Sequence, residues 1–269
     1  MSSGDLTNRL ARFKTFQQEA NIKFQTLGQF TMWREGEKVN AKDWGRDKTI
    51  QLIQYLISYR HKNAMHKEQI MDHLWEEGDD RDFKVSLHGV NKVLEPNRPS
   101  RSDAVYVQRQ GSTYQLNLEL VWIDVQAIEN YIIIGNEALG ELPDLAREAY
   151  KEAIELYQGS YLPNRIYEDW SSEEREKTRI LILGALVNLA ELLVDVNPLE
   201  SIRLAQQAIG IDNTWEDAYR IQMAAYLSRG NRPQALKIYQ KCVDVLEEEY
   251  GMSPLPATKE LFEKIQGLG

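Results

Sequence analysis

Residues 80–94 read Asp-Arg-Asp-Phe-Lys-Val-Ser-Leu-His-Gly-Val-Asn-Lys-Val-Leu, and this stretch decides the fold of the first half of the chain. Its apolar side chains recur at i, i+4, i+7 and i+11, which is the spacing of one face of an α-helix. They are Phe83, Leu87, Val90 and Leu94. Asp80 is an acceptable N-cap and Pro96 ends the pattern. The stretch therefore predicts a helix with one buried face and one polar, exposed face.

The segments on either side of this helix predict a small mixed module. Two shorter apolar stripes at helical spacing precede it, within residues 50–57 and 70–75. Segments rich in β-formers lie further out, at residues 24–39 and 105–116, and each contains a turn signal. The second turn is centred on Gly111. The predicted order is thus a hairpin, three helices and a second hairpin.

After Asp124 the β signal ends, and the rest of the chain is predicted to be helical. Segments that contain Pro or Gly interrupt the helices at 142–143, 159–163, 197–198, 230–233 and 251–256. Ala185 and Ala218 open two similar helix pairs 33 residues apart, which is about the period of tetratricopeptide repeats. Small residues at Ala205, Ala208 and Ala235 suit helices that approach closely. The second half therefore predicts an all-α array of paired helices.

Length and charge support two modules with different partners. The chain has 269 residues, enough for two ordinary domains, and carries 32 basic and 41 acidic side chains for a net charge of −9. Residues 1–120 have 18 basic and 16 acidic side chains, whereas residues 121–269 have 14 and 25. Such asymmetry means that a polyanion would be repelled by the second half but not by the first.

The first 22 residues predict a separate leading helix. Leu6, Leu10 and Phe13 fall on one side of it, and this stripe covers either the chain's own core or a neighbouring copy. The start has no apolar signal-peptide core. The most apolar stretch, residues 180–196, spans 17 residues and is interrupted by polar side chains, short of the roughly 20 that a spanning helix needs. The sequence therefore predicts a cytoplasmic protein with no membrane partner.

Chemistry-bearing motifs of enzymes are missing from the sequence. There is no glycine-rich phosphate loop, no Gly-x-Ser-x-Gly elbow and no His-Glu-x-x-His. The single cysteine, Cys242, excludes an intramolecular disulfide, and its apolar neighbours on a predicted helix would raise its pKa and leave it inert. His66 and His73 are seven residues apart, unlike the four-residue spacing of helical zinc sites. We therefore expect a protein that is not an enzyme and holds no cofactor or metal.

Several short motifs, taken together, resemble one known family. In the second half they are Leu156-Tyr-Gln-Gly159, Glu168-Asp-Trp170, Arg232-Pro-Gln-Ala-Leu-Lys-Ile-Tyr239 and Tyr250-Gly-Met-Ser-Pro254. In the first half they are Leu27-Gly-Gln-Phe30, Gln69-Ile-Met-Asp-His-Leu-Trp75, Val85 to Leu94 and Val105 to Leu116. In order and spacing these segments are similar to the bacterial transcriptional activator domain family, whose actinobacterial members are the Streptomyces antibiotic regulatory proteins.

The resemblance implies an α+β fold in three parts. These are a leading helix at 1–22, an OmpR-type winged helix at 23–120, and a tetratricopeptide-like helical domain at 124–269. It also implies a DNA-binding transcriptional activator that binds promoter repeats and recruits RNA polymerase or a sigma factor. Because operator sites in the family are direct repeats, two copies are expected side by side on double-stranded DNA.

The same resemblance places the helix at 80–94 in the major groove and the second hairpin against the DNA backbone or minor groove. If the apolar stripe faces the core, Lys84, His88, Asn91 and Lys92 lie on the exposed face. His88 and Asn91 are then predicted to read bases, with asparagine suited to adenine. The predicted phosphate contacts are His66, Lys67, Lys84, Lys92 and Arg109.

A second interpretation follows from the composition of this helix. Related winged helices usually carry several arginines here, and the matching positions hold Gly89 and Asn91. Gly89 costs roughly 1 kcal/mol against alanine in a helix interior, so it indicates either close backbone approach to another element or tolerated drift. The alternative function is therefore a helical-repeat scaffold or ligand-binding regulator whose winged helix no longer binds DNA.

Overall fold

The computed structural model describes residues 3–62, 64–75 and 79–267. Tertiary contacts divide the chain into two compact units. One, the mixed unit, comprises residues 11–127 and 157–177. The other, the helical unit, comprises the remaining described residues. None of the helices within the described ranges is both long and apolar enough to cross a membrane.

The mixed unit contains the strands and the helices of the first half. Its helices are the second part of α1 (Ser3–Glu19), then α2 (Asp47–Ser58), α3 (Lys67–Leu74) and α4 (Asp80–Leu94), with a 3-10 turn at Ala41–Trp44. Its strands are β1 (Ile22–Gln25), β2 (Thr31–Arg34), β3 (Glu37–Lys38), β4 (Met65–His66), β5 (Val107–Gln110), β6 (Thr113–Leu116) and β7 (Val121–Ile123). The predicted three helices and the hairpin that follows them are confirmed.

Two small sheets flank these helices. The first has the strand order β3-β2-β1-β7, with β1 antiparallel to β2 and parallel to β7. The second has the order β4-β6-β5, in which β5 and β6 form the predicted hairpin around Gly111. Strand β4 pairs with β6 just before α3 begins. The start of α3 and the hairpin are therefore joined through one sheet.

The first predicted hairpin, with its turn at Glu35-Gly36, is confirmed as β2 and β3. The pattern from Phe24 to Trp33 predicts one strand before that turn, but the chain turns at residues 26–30 and folds β2 back onto β1. Gly28 has φ +77° there, and a Cβ atom on it would lie 2.5 Å from the carbonyl oxygen of Gln158. The turn arises because backbone groups of residues 26–28 bond outside the β1–β2 pair, which the alternating pattern does not reveal.

Asp124 is the buried group that holds this turn. Its carboxylate accepts from the backbone N–H groups of Thr26 (2.8 Å), Leu27 (3.0 Å) and Val125 (2.7 Å), and from the Thr26 hydroxyl (2.6 Å). Burial raises the pKa of the Asp124 carboxyl above its ordinary value, and the four donors oppose that rise. The carboxylate therefore fixes the end of β1 to the start of α5 (Asp124–Ala138).

The segment of residues 157–177, which we call the strap, packs on α2. Arg165 donates to the Asp47 carboxylate and to Gln54 (2.9 Å), and the Gln51 amide donates to Glu168 (2.7 Å). Further along α2, the Ser58 and Tyr161 hydroxyls are 2.8 Å apart. Just past the end of α2, the buried Arg60 pairs with Glu174 at 2.7 Å. The strap also includes the first turns of α7 (Asp169–Leu192).

This assignment differs from the predicted boundaries, which placed every residue after 124 in one module. The strap's contacts put it in the mixed unit, although it follows α6 (Pro143–Leu156) in sequence. Periodicity shows that α6 and α7 are amphipathic or buried helices. It does not show which element each end contacts, so the sequence had no signal for this arrangement.

The helical unit is built from consecutive packed helices. After α6 and α7 these are α8 (Pro198–Ile211), α9 (Glu216–Ser228), α10 (Arg232–Tyr250) and α11 (Pro256–Gly267). Helix α9 packs against α8, α10 and α11. The predicted small contact residues Ala205, Ala208 and Ala235 are all fully buried. The predicted array of paired helices is therefore confirmed in this region.

Two further expectations are settled in the helical unit. Leu6 and Leu10 of α1 are buried within the chain, and Arg9 pairs with Glu137 of α5 at 2.5 Å, so this stripe covers the chain's own core. Cys242 is buried among apolar side chains, and burial raises the pKa of its thiol to about 12. The expectation of an inert thiol is thus supported, because almost none of it is ionised at neutral pH.

Gly89 of α4 lies against α2, so close approach explains this glycine. A Cβ atom on Gly89 would be 2.9 Å from both the methyl and the hydroxyl of the buried Thr49. We expect Gly89→Ala to destabilise the fold by about 1–3 kcal/mol, because the helices must separate. A Cβ atom on Gly184 of α7 would instead meet no atom of the described residues within 4 Å. Gly184→Ala should therefore stabilise the fold by about 0.5–1 kcal/mol.

Urea unfolding of the two variants measures both effects. Opposite signs support the contact between α2 and α4, and removing the Thr49 side chain as well (Thr49→Ala) should recover part of the loss in Gly89→Ala. Equal stabilisation by both alanines would contradict the packing described for α4.

Candidate nucleic-acid interface

Helix α4 begins at a strong cap and buries one side. The Asp79 carboxylate accepts from the backbone N–H groups of Arg81 (2.8 Å) and Asp82 (3.1 Å), so Asp79, rather than the predicted Asp80, is the N-cap. At the other end Arg34 of β2 donates to the Val93 carbonyl. Of the predicted core stripe, Phe83, Val90 and Leu94 are buried and Leu87 is half-buried.

The opposite side of α4 is exposed over three turns. Its exposed residues, which we call the α4 face, are Arg81, Lys84, Val85, His88 and Lys92. The prediction that Lys84, His88 and Lys92 share an exposed face is confirmed. Arg81 and Val85 were missed, although the spacing i, i+4, i+7 and i+11 from position 81 would have found them. An open depression beside the first two turns is lined by Asp79, Asp80, Arg81, Lys84, Val85 and His88.

The expected exposure of Asn91 is wrong. Asn91 is only 9% exposed, and its side-chain oxygen has no hydrogen-bond partner among the described residues. It lies on the flank of α4, between the buried stripe and the α4 face, and neighbouring packing covers it. The buried arc is wider than the predicted stripe on both flanks, because Asn91 extends it on one side and Ser86 and Val93 extend it on the other. Asn91 therefore has no access to a base edge in this structure.

Asp80 couples two of the predicted phosphate-binding lysines. Its carboxylate pairs with Lys84 at 2.7 Å, one turn along α4, and with Lys67 at the start of α3. These two hydrogen bonds lower the pKa of the Asp80 carboxyl to about 2. The hydrogen bond to Asp80 raises the pKa of Lys67 above its ordinary value. Asp80 is thus ionised at any physiological pH. The two lysines, one on α3 and one on α4, therefore lie together around the Asp80 carboxylate.

His66 and Arg109 lie on either side of the junction between α3 and the hairpin. His66 is the N-cap of α3, and its ring Nδ1 accepts from the backbone N–H of Glu68 at 3.3 Å. The backbone N–H of Lys67 donates to the carbonyl of Ser112 in the hairpin turn at 2.9 Å. The start of α3, with His66 and Lys67, is therefore bonded to the turn of the hairpin that carries Arg109.

Aromatic packing fixes Arg109 relative to α4. The Arg109 guanidinium lies 5.9 Å from the centre of the Tyr114 ring and donates to the Gly111 carbonyl at 2.8 Å. Tyr114 in turn makes an edge contact with Phe83, with ring centres 5.0 Å apart. Arg109 remains exposed. Its charge is held on a hairpin that is packed against the buried side of α4.

The loop after α4 adds two arginines that the sequence analysis did not single out. Arg98 is half-buried and Arg101 is exposed, within successive turns at residues 95–98 and 99–102. Arg101 has φ +70°, a conformation that favours glycine. The Glu95 carboxylate then accepts from the backbone N–H of Val105 at 2.8 Å, which ties this loop to the end of α4.

The comparisons with known proteins place the chain in a family. The model of the bacterial transcriptional activator domain matches residues 123–266, which is more than half of the sequence. The chain therefore belongs to the bacterial transcriptional activator domain family. The match begins within one residue of Asp124, where the sequence predicted the second module to start. No curated protein sequence matches this chain significantly.

Among solved structures, the chain is similar to Mycobacterium tuberculosis EmbR in complex with a low affinity phosphopeptide. The TM-score is 0.79 at 18% identity, over 93% of this chain. The chain spans 66% of that chain's length. The likeness shows a shared fold. A second structure, of MamA protein, has 15% identity over 78% of this chain and 99% of that chain, but its TM-score of 0.26 supports no argument.

The geometry around Asp80 gives a testable consequence. Because its carboxylate pairs with Lys67 and Lys84, it competes with any phosphate for the same cations. We expect Asp80→Asn to tighten binding to a random-sequence DNA duplex about threefold to tenfold at low salt, since one repulsive charge is removed and two lysines are released. Fluorescence anisotropy at several salt concentrations measures the effect.

Asp72→Asn is the matched control. Asp72 is exposed on α3, and among the described residues it forms no ion pair with either lysine. Asp72→Asn removes the same charge as Asp80→Asn, so a general electrostatic effect would tighten DNA binding equally in both variants. Weaker or unchanged binding by Asp80→Asn would show that these lysines do not meet DNA.

Proposed function

We propose that this protein is a DNA-binding transcriptional activator whose mixed unit acts as a winged helix. The observation that carries the proposal is the α4 face, which presents Arg81, Lys84, His88 and Lys92 on one side of a capped helix. A basic and hydrogen-bonding face on an exposed helix suits the major groove. The belonging of the chain to an activator family supports the same conclusion.

The element order supports the winged-helix assignment. Helices α2, α3 and α4 are followed directly by the β5–β6 hairpin, which takes the place of the wing. The wing carries the exposed Arg109, and its turn is bonded to the first residue of α3. In this arrangement α4 enters the major groove while the wing lies along the backbone or the minor groove.

The burial of Asn91 changes which residues read bases. His88, in the middle of the α4 face, can accept or donate to base edges, and Arg81 takes the role of a guanine reader, because arginine pairs with both acceptors of guanine. The remaining predicted cations serve as phosphate contacts. They are His66, Lys67, Lys84, Lys92 and Arg109.

One copy brings few cations, and Asp80 neutralises part of their charge. Affinity for DNA rises with the number of phosphates neutralised, so a single unit binds weakly at physiological salt. Two copies on adjacent direct repeats double the number of phosphate contacts. The proposed DNA-bound form is therefore a head-to-tail homodimer.

The protein partner we assign is RNA polymerase or a sigma factor in the cytoplasm. The helical unit offers an exposed apolar group at the end of α10 and in the loop that follows it, formed by Tyr250, Met252 and Leu255. The Glu216 carboxylate accepts from the Leu255 N–H at 2.8 Å and so fixes this loop. Three exposed glutamates precede it at residues 247–249. Such a surface suits a basic segment with apolar anchors.

A second function, a protein-binding scaffold without DNA binding, has one specific observation in its favour. Asp80 already satisfies Lys67 and Lys84, so the positive charge of the α4 face is partly cancelled. In that case the exposed loop at Tyr250 would be the functional surface. The two functions differ in whether the α4 face selects a DNA sequence.

Selection of duplexes from a random pool tests the proposal, followed by titration at several salt concentrations. His88→Ala should cost about 1–3 kcal/mol on the selected duplex and little on random DNA, because it removes a base contact. Arg109→Ala should weaken both and reduce the salt slope by about one. Lys237→Ala, an exposed lysine on α10, is the control and should change neither.

Failure to enrich any sequence, together with unchanged binding by His88→Ala and Arg109→Ala, would favour the scaffold. Equal losses by His88→Ala on selected and random duplexes would mean that α4 is not the reading helix.

A further inference from the structure

Val85 is an exposed apolar side chain in the middle of the α4 face. It is 40% exposed, whereas Phe83, Val90, Val93 and Leu94 are at most 4% exposed. A single exposed valine needs no explanation by itself. Its neighbours give it meaning, because Lys84 precedes it and Arg81 and His88 lie one turn away on the same face.

Folding does not require a valine at this position. β-Branched residues are poorer helix formers than lysine, glutamate or glutamine. A side chain that remains exposed also contributes little hydrophobic stabilisation to the fold. The β-branch does restrict the side chain to one preferred rotamer in a helix, so its methyl groups point in a fixed direction. Val85 therefore presents a small, rigid apolar surface in the depression lined by Arg81, Lys84 and His88.

The major groove offers an apolar group that matches this surface. Of the four bases, thymine displays a methyl group on C5, while the other groove-edge features are hydrogen-bond donors and acceptors. We propose that Val85 is a specificity-determining residue that packs against the C5 methyl of a thymine in the recognised DNA. This inference rests on the proposed function, because it needs α4 to lie in the major groove.

The spacing on the helix indicates where that thymine lies. Residue 85 is about 6 Å along the helix axis from residue 81, and residue 88 is about 4.5 Å further, at 1.5 Å per residue. Base pairs are stacked about 3.4 Å apart. The thymine thus lies within one or two base pairs of the base that Arg81 contacts and of the base that His88 contacts.

The test removes the two methyl surfaces separately and together. In the duplex enriched from a random pool, each thymine is replaced in turn by deoxyuridine, which lacks only the C5 methyl. At one position the 269-residue chain should bind about fourfold more weakly, the change expected for one buried methyl group. Val85→Ala should lose a similar factor on the thymine duplex and nothing further when that thymine is already uracil.

Val196→Ala is the matched control. Val196 is an exposed valine of the helical unit, outside both α4 and the hairpin, so its removal should leave binding to both duplexes unaffected. Because Val85 is on the surface, thermal unfolding of Val85→Ala should match that of the unaltered protein, which separates a contact effect from misfolding.

If the factor lost through Val85→Ala and the factor lost through deoxyuridine multiply when the two changes are combined, the two methyl surfaces do not touch, and the proposed contact is overturned. The contact is also overturned if the protein selects a DNA sequence but neither any deoxyuridine nor Val85→Ala weakens the binding. In that case the proposed function stands. If no sequence is enriched from the random pool, both the contact and the proposed function are overturned. The selection experiment alone reveals that outcome.

Discussion

Helix α2 is held on two sides, and the position of the candidate interface depends on this constraint. On one side Gly89 lets α4 approach until Thr49 touches its backbone. On the other side the strap bonds to α2 through Arg165 and Glu168. The first contact tolerates no extra atom, and the second satisfies polar groups that would be costly to bury alone. The direction of the α4 face follows from where α2 is fixed.

Acidic residues at the start of α4 reduce the attraction of the α4 face for a polyanion. Asp79 is needed to begin α4, and Asp80, the first residue of the helix, is favourable there because of the helix dipole. The same carboxylate occupies Lys67 and Lys84. Helix stability and the proposed binding to DNA therefore make opposite demands on this turn. Two copies on one operator, with a bound protein partner, would supply the affinity that one copy lacks.

Periodicity predicted those features of the fold that depend on which side of an element is buried. The three helices, the second hairpin and the buried alanines at positions 205, 208 and 235 belong to this group. Features set by single polar contacts were not predictable. The turn at residues 26–30 depends on Asp124, the strap depends on pairs more than a hundred residues apart, and Asn91 is covered because the buried arc is wider than the stripe. The exposure of Arg81 and Val85 could have been predicted, because they follow the helical spacing of the face opposite the buried stripe.

A cleavage reagent tethered to the α4 face measures whether that face lies in the major groove. Cys242 is buried with a thiol pKa of about 12, so Lys92→Cys introduces one reactive thiol for an iron chelate. If the α4 face lies in the major groove, the Lys92→Cys conjugate cuts only a few base pairs bordering one major groove in each half-site, and the Lys237→Cys conjugate cuts no more than background. Equal, diffuse cutting from both positions would contradict this placement.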